Sequence, residues 1–194
     1  MTLFQLLMLG ASAFFAFKVY EHIQGLKDLQ PRSDEPHAPS SFDPEFLVQR
    51  ADEEFEAGNL QKAYELFNEA NSKVAQGSEV IFKMGYILQQ LKRDEEALTC
   101  YKEALEGDKE NEFIHNSIAS IYRAKGEFVS AKMHLNASLA IDGKNPLTYY
   151  NYGNLLVDMK HLDEAKEMYK NALELNPDFS EAKEELEKLE KVEE

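Results

Sequence analysis

The residue types that most often carry catalysis are few and scattered in this chain. Its single cysteine, Cys100, excludes an intrachain disulfide and a zinc site built from cysteines. His115, His134 and His161 fall on different predicted helices, and no H-x-x-x-H spacing places two imidazoles on one helix face. We interpret Cys100 as a buried structural residue. The sequence therefore predicts no site where nucleophile, base and electrostatic groups converge.

Other short motifs also have structural interpretations. The acidic pair Glu95-Glu96 is typical of a solvated helix face, and the Asn136-Ala137-Ser138 sequon lies inside a predicted helix, where glycosylation is not expected. No glycine-rich phosphate loop occurs, because the candidate glycines are isolated turn residues: Gly58, Gly126 and Gly143. We predict that the chain is not an enzyme and uses no cofactor and no metal.

The net negative charge of the chain argues against some classes of binding partner. The 194 residues include 21 Lys and Arg against 36 Asp and Glu, a formal net charge of −15. Neutralising nucleic-acid phosphates needs clustered basic side chains, so DNA and RNA are not expected partners. The excess negative charge favours partners with basic or neutral segments.

The N-terminus is the most apolar part of the chain. Residues 1–17 carry no charged side chain, and a helix from Leu3 to Tyr20 would span about 27 Å, close to the thickness of a bilayer's hydrocarbon core. Lys18 could extend its amine to the headgroups. We predict a transmembrane anchor and juxtamembrane helix at residues 1–27. A signal peptide cleaved after Ala11-Ser12-Ala13 and a helix buried in a soluble protein are the alternatives.

Positive charges follow the apolar stretch rather than precede it. Lys18, Lys27 and Arg32 lie on its C-terminal side, so the positive-inside rule places the bulk of the chain in the cytoplasm. Residues 28–43 are rich in proline and serine, which prevents a continuous helix or a paired strand. This segment is predicted to be a semi-extended linker between the anchor and the rest of the chain.

From residue 44 onward, small residues recur at a fixed interval. Ala63, Ala97, Ala131 and Ala165 are each 34 residues apart, and two further series keep the same interval. These series are Phe67, Tyr101, Leu135 and Tyr169, and Ala70, Ala104, Ser138 and Ala172. Within each interval, apolar residues follow the helical period of three or four. The pattern predicts a solenoid of helix pairs, with glycine or alanine where two helices approach closely.

This pattern resembles the tetratricopeptide repeat, a 34-residue helix-turn-helix unit. Four contiguous repeats are predicted, at 44–77, 78–111, 112–145 and 146–179, and the fourth is most similar to the family signature. The signature residues there are Tyr152, Gly153, Leu156, Ala165, Tyr169, Ala172 and Pro177. The resemblance implies an all-α fold, a right-handed superhelix of four repeats. The charged segment 180–194 is predicted to be a capping helix, with an acidic partner-binding tail as the alternative.

The resemblance also implies where a partner binds. In this family the first helix of each repeat lines a concave groove that receives peptides. The corresponding residues here are Phe82, Lys83, Tyr86, Gln89, Phe113, Asn116, Ser120, Arg123, Tyr150, Asn151 and Asn154. Asparagine amides can both donate to and accept from a peptide backbone, and aromatic rings supply apolar contact.

One subtype of the family captures the C-terminal carboxylate of chaperones with a clamp of Lys, Asn, Asn, Lys and Arg. The corresponding residues here do not match that clamp: Val48, Asp52, Lys83, Phe113 and Ser117. We therefore predict a non-catalytic, membrane-anchored adaptor that binds some other protein or peptide in its groove. A self-assembling scaffold at the membrane, or an accessory subunit of a membrane complex, is the alternative.

Overall fold

The computed structural model describes residues 43–191, and all regular secondary structure in that part is α-helical. Its nine helices are α1 (Pro44–Glu56), α2 (Leu60–Lys73), α3 (Ser78–Gln90), α4 (Asp94–Gly107), α5 (Glu112–Ala124), α6 (Phe128–Ile141), α7 (Pro146–Asp158), α8 (Leu162–Leu175) and α9 (Ser180–Lys191). None of these helices is long and apolar enough to cross a membrane. The predicted anchor and all but the last residue of the predicted linker lie outside the described residues.

The helices form four pairs whose first helices begin 34 residues apart, at Pro44, Ser78, Glu112 and Pro146. Within a pair the two helices pack closely because small residues lie at their contact. All three 34-residue series named above are buried in the structure, including the hydroxyl of Ser138. A Cβ atom on Gly85 would lie 2.7 Å from the ring of Tyr101, so only glycine permits this approach.

Side chains near the helix starts cap several of the first helices. The carboxylate of Asp43 accepts from the Glu45 amide, and the side-chain oxygen of Asn145 accepts from the Leu147 amide. Pro44 and Pro146 occupy the first turn, where a missing amide proton costs no intrahelical bond.

A left-handed residue occurs in the turn inside each pair. Gly58 and Gly126 have φ of +78° and +76°, and the equivalent residues 34 positions later, Lys92 and Lys160, have +63° and +66°. Each turn is closed by a backbone bond from the following residue, such as His161 N–H to Leu156 C=O at 2.9 Å. The repeat geometry therefore imposes a left-handed conformation that lysine adopts less readily than glycine.

Helix α9 packs on α8 and covers the last repeat. Ala182 is fully buried, and Leu186 and Leu189 lie against the core around Tyr169. The other side of α9 is charged, with ion pairs such as Lys188–Glu185 at 2.6 Å. This arrangement suits the end of a stacked-repeat core, where an apolar face must be covered by a polar helix.

Candidate functional site

A cavity within residues 43–191 lies along the first helices of the repeats. Its volume is about 550 Å³, and its walls come from α1, α3, α5 and α7 with the turn after α3. The lining residues are Phe55, Phe82, Lys83, Tyr86, Gln89, Gln90, Lys92, Phe113, Asn116, Ser117, Ser120, Leu147 and Asn151. A cavity of this size accommodates a few side chains of an extended peptide.

Most of the predicted groove residues are brought together in this lining. Eight of the eleven line it: Phe82, Lys83, Tyr86, Gln89, Phe113, Asn116, Ser120 and Asn151. The remaining three have other contacts. Arg123 pairs with Asp158 at 2.8 Å, Tyr150 packs on the rings of Tyr169 and Phe179, and Asn154 accepts from the Tyr169 hydroxyl at 2.7 Å.

The prediction omitted five lining residues, and the repeat period indicates most of them. Phe55 lies one 34-residue step before Gln89, and Leu147 lies one step after Phe113. Ser117 lies one step after Lys83. The other two omitted residues, Gln90 and Lys92, lie at the end of α3. Applying the period to every groove position of all four repeats would have found the first three.

The exposed part of the cavity wall is mainly apolar. Phe113 is 49% exposed and Leu147 is 38% exposed, although both are large hydrophobic residues. The exposed ring of Tyr86 meets Phe55 edge-on with centroids 5.9 Å apart, and Phe82 packs on Tyr101 at 5.6 Å. These rings are held by their neighbours, so a partner that covers them gains apolar contact at a low entropic cost.

The amide of Asn116 is bonded inside the protein instead of facing a ligand. The residue is only 3% exposed, and its Nδ2 donates to the Glu112 carbonyl at 3.0 Å and to the hydroxyls of Ser138 and Thr148 at 2.8 and 2.7 Å. Its Oδ1 accepts from Asn151 Nδ2 at 3.0 Å. Asn116 therefore joins the third repeat to the fourth and orients Asn151, a role that the sequence prediction did not include.

The side-chain amide of Gln89 is also hydrogen-bonded within the protein. Gln89 Oε1 accepts from the hydroxyl of Tyr101 at 2.9 Å, and its Nε2 lies 3.4 Å from Ser120 Oγ in the next repeat. Tyr101 is the residue that packs on Gly85. The polar side chains of the groove thus connect successive repeats, and the apolar side chains are left to contact a partner.

The positive charge of Lys83 in the cavity wall is neutralised by nearby carboxylates. The lining contains Lys83 and Lys92 and no acidic residue, but Lys83 Nζ lies 2.8 Å from Asp52 and 3.3 Å from Glu79. Burial opposes the charged form of Lys83, but the two carboxylates outweigh it and raise the pKa of Lys83. This lysine is therefore charged at neutral pH, and its charge is already compensated by two acidic neighbours.

Two histidines that are distant in sequence meet in the third repeat. The Nδ1 atoms of His115 on α5 and His134 on α6 are 2.9 Å apart, and the Tyr122 ring stacks on His134 at 5.8 Å. The two histidines lie on different helices, as predicted, but the packing of these helices brings them into contact. Burial lowers the pKa of His115, and burial together with His115 and Lys102 lowers the pKa of His134 to about 4.

This pair makes stability depend on pH. The unfolded chain protonates His134 near pH 6.5 and the folded chain near 4, so stability is complete above 6.5 and falls as the pH decreases toward 4. We expect a loss of about 1 kcal/mol between pH 7 and pH 5, because solvent screens a half-buried group. Urea denaturation at pH 7 and pH 5 measures this change in the free energy of unfolding for wild type and for a His115→Ile/His134→Leu variant. Equal pH dependence of the two proteins would contradict this assignment.

The remaining candidates for reactivity are the single cysteine and clusters of metal-ligating side chains. Burial raises the pKa of the Cys100 thiol to about 11, so the thiol is protonated at neutral pH and is a poor nucleophile. Within residues 43–191, no group of three or more His, Cys, Asp or Glu side chains is arranged to hold a metal ion.

The groove geometry and the paired helices define a class of helical-repeat protein. The family model described as tetratricopeptide repeat matches residues 78–111 and 147–179. YrrB, a tetratricopeptide repeat protein with an unusual peptide-binding site, has a similar structure, with a TM-score of 0.66, 17% identity, and 74% of each chain covered. The described part of the chain thus has an all-α tetratricopeptide repeat fold, as predicted.

The sequence is also similar to that of human RNA polymerase II-associated protein 3. The two are 30% identical over 95 residues, which is 49% of this chain but 14% of the human protein, so the match spans about one seventh of that relative. The first repeat domain of Spaghetti (RPAP3), solved with the HSP90 peptide SRMEEVD, has a TM-score of 0.56 and 27% identity. That comparison covers 60% of this chain and 93% of the domain.

Proposed function

We propose that the chain is a non-catalytic adaptor that binds an extended segment of a partner protein along α1, α3, α5 and α7. The observation that carries this proposal is a cavity whose wall exposes three large side chains, Phe113, Tyr86 and Leu147. The amides of Asn116 and Gln89 in the same wall are hydrogen-bonded within the protein. A large apolar side chain is normally buried, so three of them around one concave surface favour a binding site. The similar domain of RPAP3, which binds a peptide, supports the same class of function.

A matched pair of leucines tests this proposal. Leu147 in the groove is 38% exposed, and Leu175 at the end of α8, outside the lining, is 41% exposed. Covering the groove leucine should contribute about 1 kcal/mol, so we expect Leu147→Ala to reduce partner recovery about fivefold. Leu175→Ala should leave recovery unchanged. The measurement is cross-linking of the full-length chain in cells followed by quantitative mass spectrometry.

A second groove variant, Phe113→Ala, should have a larger effect in the same experiment. Phe113→Ala should reduce recovery further, because a half-exposed phenylalanine offers more apolar area than a leucine. If partners are recovered equally with Leu147→Ala, Phe113→Ala and Leu175→Ala, binding does not use the groove. In that case the proposal fails and the outer helix faces or α9 must hold the partner.

Membrane attachment is the second part of the proposal, and it is supported by the uncharged sequence of residues 1–17 alone. The full-length chain should stay in the membrane fraction after alkaline carbonate extraction, and residues 41–194 expressed alone should not. Protease added to intact cells should leave the repeats uncut if they are cytoplasmic. Release of the full-length chain by carbonate would remove the anchor from the proposal.

A scaffold that assembles from copies of this chain is the second candidate. Its support is the outer face of α6, where Val129 is 86% exposed and Met133 is also exposed. At the position of Val129, the repeats before and after carry the charged residues Glu95 and Asp163, and the first repeat carries the polar Gln61. Recovery of the chain itself as the main cross-linked species, with oligomers that dissociate on dilution, would favour this candidate.

A further inference from the structure

We infer that the groove selects segments with bulky apolar side chains and no acidic residues, and that Asp52 and Glu79 are the residues that exclude acidic partners. The inference rests on the proposed function and assigns the chemistry of the partner. It differs from what is bound in the similar RPAP3 domain, since the peptide SRMEEVD carries two glutamates, an aspartate and one arginine.

The first step concerns which polar side chains of the groove are available to form hydrogen bonds with a ligand. An acidic peptide needs donors or cations that are not already engaged. Asn116 uses its amide protons within the protein, and Asn151 donates to Asn116. Gln89 accepts from Tyr101 and directs its nitrogen to Ser120. A ligand can cover the rings and methyl groups of the wall without breaking these bonds, and the polar lining residues outside this network include Tyr86, Gln90 and Lys92.

The second step is the local charge around Lys83. One lysine lies between two carboxylates, so the cluster has a net charge of −1 at neutral pH. Glu79 is largely exposed and Asp52 is partly exposed, so both carboxylates are accessible to a ligand. An acidic side chain placed here meets net repulsion, and a basic or neutral one does not.

The third step concerns the other cation of the lining. Lys92 follows α3 and lies nine residues after Lys83, about 13 Å farther along the helix direction. Lys83 Nζ is already held by Asp52 and Glu79, so a carboxylate bound by both amines would have to displace these partners. The lining therefore contains no pair of cations that acts as a clamp for an acidic group.

The fourth step is the charge of the wall outside the cavity. Helix α1 has five acidic residues and one basic residue, a net charge of −4, while α3 and α5 each have one acidic and one basic residue and α7 has one acidic residue. The groove is therefore neutral at its centre and acidic at the α1 end. A partner with an apolar centre and a flanking lysine or arginine matches both regions.

Three synthetic peptides with one apolar centre test the inference: KKFLSFLKK, SSFLSFLSS and EEFLSFLEE. Their flanks are the same at both ends, so the direction of binding does not affect the comparison. Fluorescence anisotropy with the purified full-length chain in 150 mM salt should give affinities in the order basic, neutral, acidic. We expect at least a tenfold difference between the first and the last, and no measurable binding of SRMEEVD.

Two charge variants separate local exclusion from the overall negative charge. Asp52→Asn/Glu79→Gln removes two carboxylates beside the cavity, and Glu164→Gln/Glu167→Gln removes two exposed carboxylates on α8. The first variant should reduce the ratio of basic to acidic affinity to about threefold or less, and the second should retain the wild-type ratio. Circular dichroism verifies that both variants are folded, which is expected because surface ion pairs contribute little stability.

The outcomes distinguish this inference from the proposed function. If Leu147→Ala weakens peptide binding but the acidic peptide binds as well as the basic one, the inference is wrong and the proposed function stands. If both charge variants change the ratio equally, Asp52 and Glu79 are not the specificity residues. If no peptide binds in a manner that depends on Leu147, the proposed function and this inference both fail.

Discussion

Gly153→Ala is expected to lower the free energy of unfolding by about 2 kcal/mol. A Cβ on Gly153 would lie 2.5 Å from Cε1 and 2.7 Å from Cδ1 of Tyr169, well inside van der Waals contact. The Tyr169 ring cannot move away easily, because it is fully buried and its hydroxyl donates to Asn154 at 2.7 Å. Overpacking of this kind outweighs the gain of about 1 kcal/mol that alanine brings to a helix interior.

Gly143→Ala is the control for this prediction. A Cβ there would meet only the Leu139 carbonyl oxygen, at an ordinary 3.4 Å, and the residue is outside the left-handed region. Its substitution should therefore be neutral or slightly stabilising. Guanidinium denaturation followed by far-UV circular dichroism compares the two variants. Equal stability of Gly153→Ala and wild type would mean that α7 and α8 are not in close contact at this point.

Asn116→Ala is expected to destabilise the protein by about 3 kcal/mol. The side chain is buried and makes four hydrogen bonds to groups on α5, α6 and α7, so alanine leaves several buried polar groups with fewer partners. Each buried donor or acceptor left unsatisfied costs about 1–3 kcal/mol. The hydroxyls of Ser138 and Thr148, 3.0 Å apart, still bond each other and limit the loss.

The control for Asn116 is Asn136→Ala, on the exposed face of α6, which should change stability by less than about 0.5 kcal/mol. Denaturation curves of the two variants measure the difference. Similar small effects of the two substitutions would contradict a structural role of Asn116 between the third and fourth repeats. A large loss of stability would assign it to the contact between the third and fourth repeats.

That a partner binds in the groove stays a prediction, although most of the predicted residues lie along one surface. The 34-residue period placed the first helices along one surface, and eight of the predicted residues line one cavity there. The period also contained the signal for Phe55 and Leu147, one step from Gln89 and Phe113. It could not indicate that Arg123 pairs with Asp158, because that contact depends on the distance between neighbouring repeats.

The histidine pair shows a different limit of sequence reasoning. His115 and His134 are 19 residues apart and on different helices, so no short spacing relates them. They meet because the two helices of the third repeat pack side by side. The equivalent residues one repeat earlier, Ile81 and Cys100, are apolar or weakly polar, and comparing the repeats would have marked the third as unusual.

The sequence by itself determined the period, the all-helical fold and the order of the helix pairs. Local interactions control these features, since apolar periodicity, small residues and turn residues act within one 34-residue unit. Only the tertiary structure decided which side chains remain free to bind. Amides such as Asn116 and Gln89 find partners about 30 residues away, when one repeat stacks on the next. Hydrogen bonding between repeats thus left the aromatic and aliphatic side chains, rather than the asparagines, as the exposed surface of the groove.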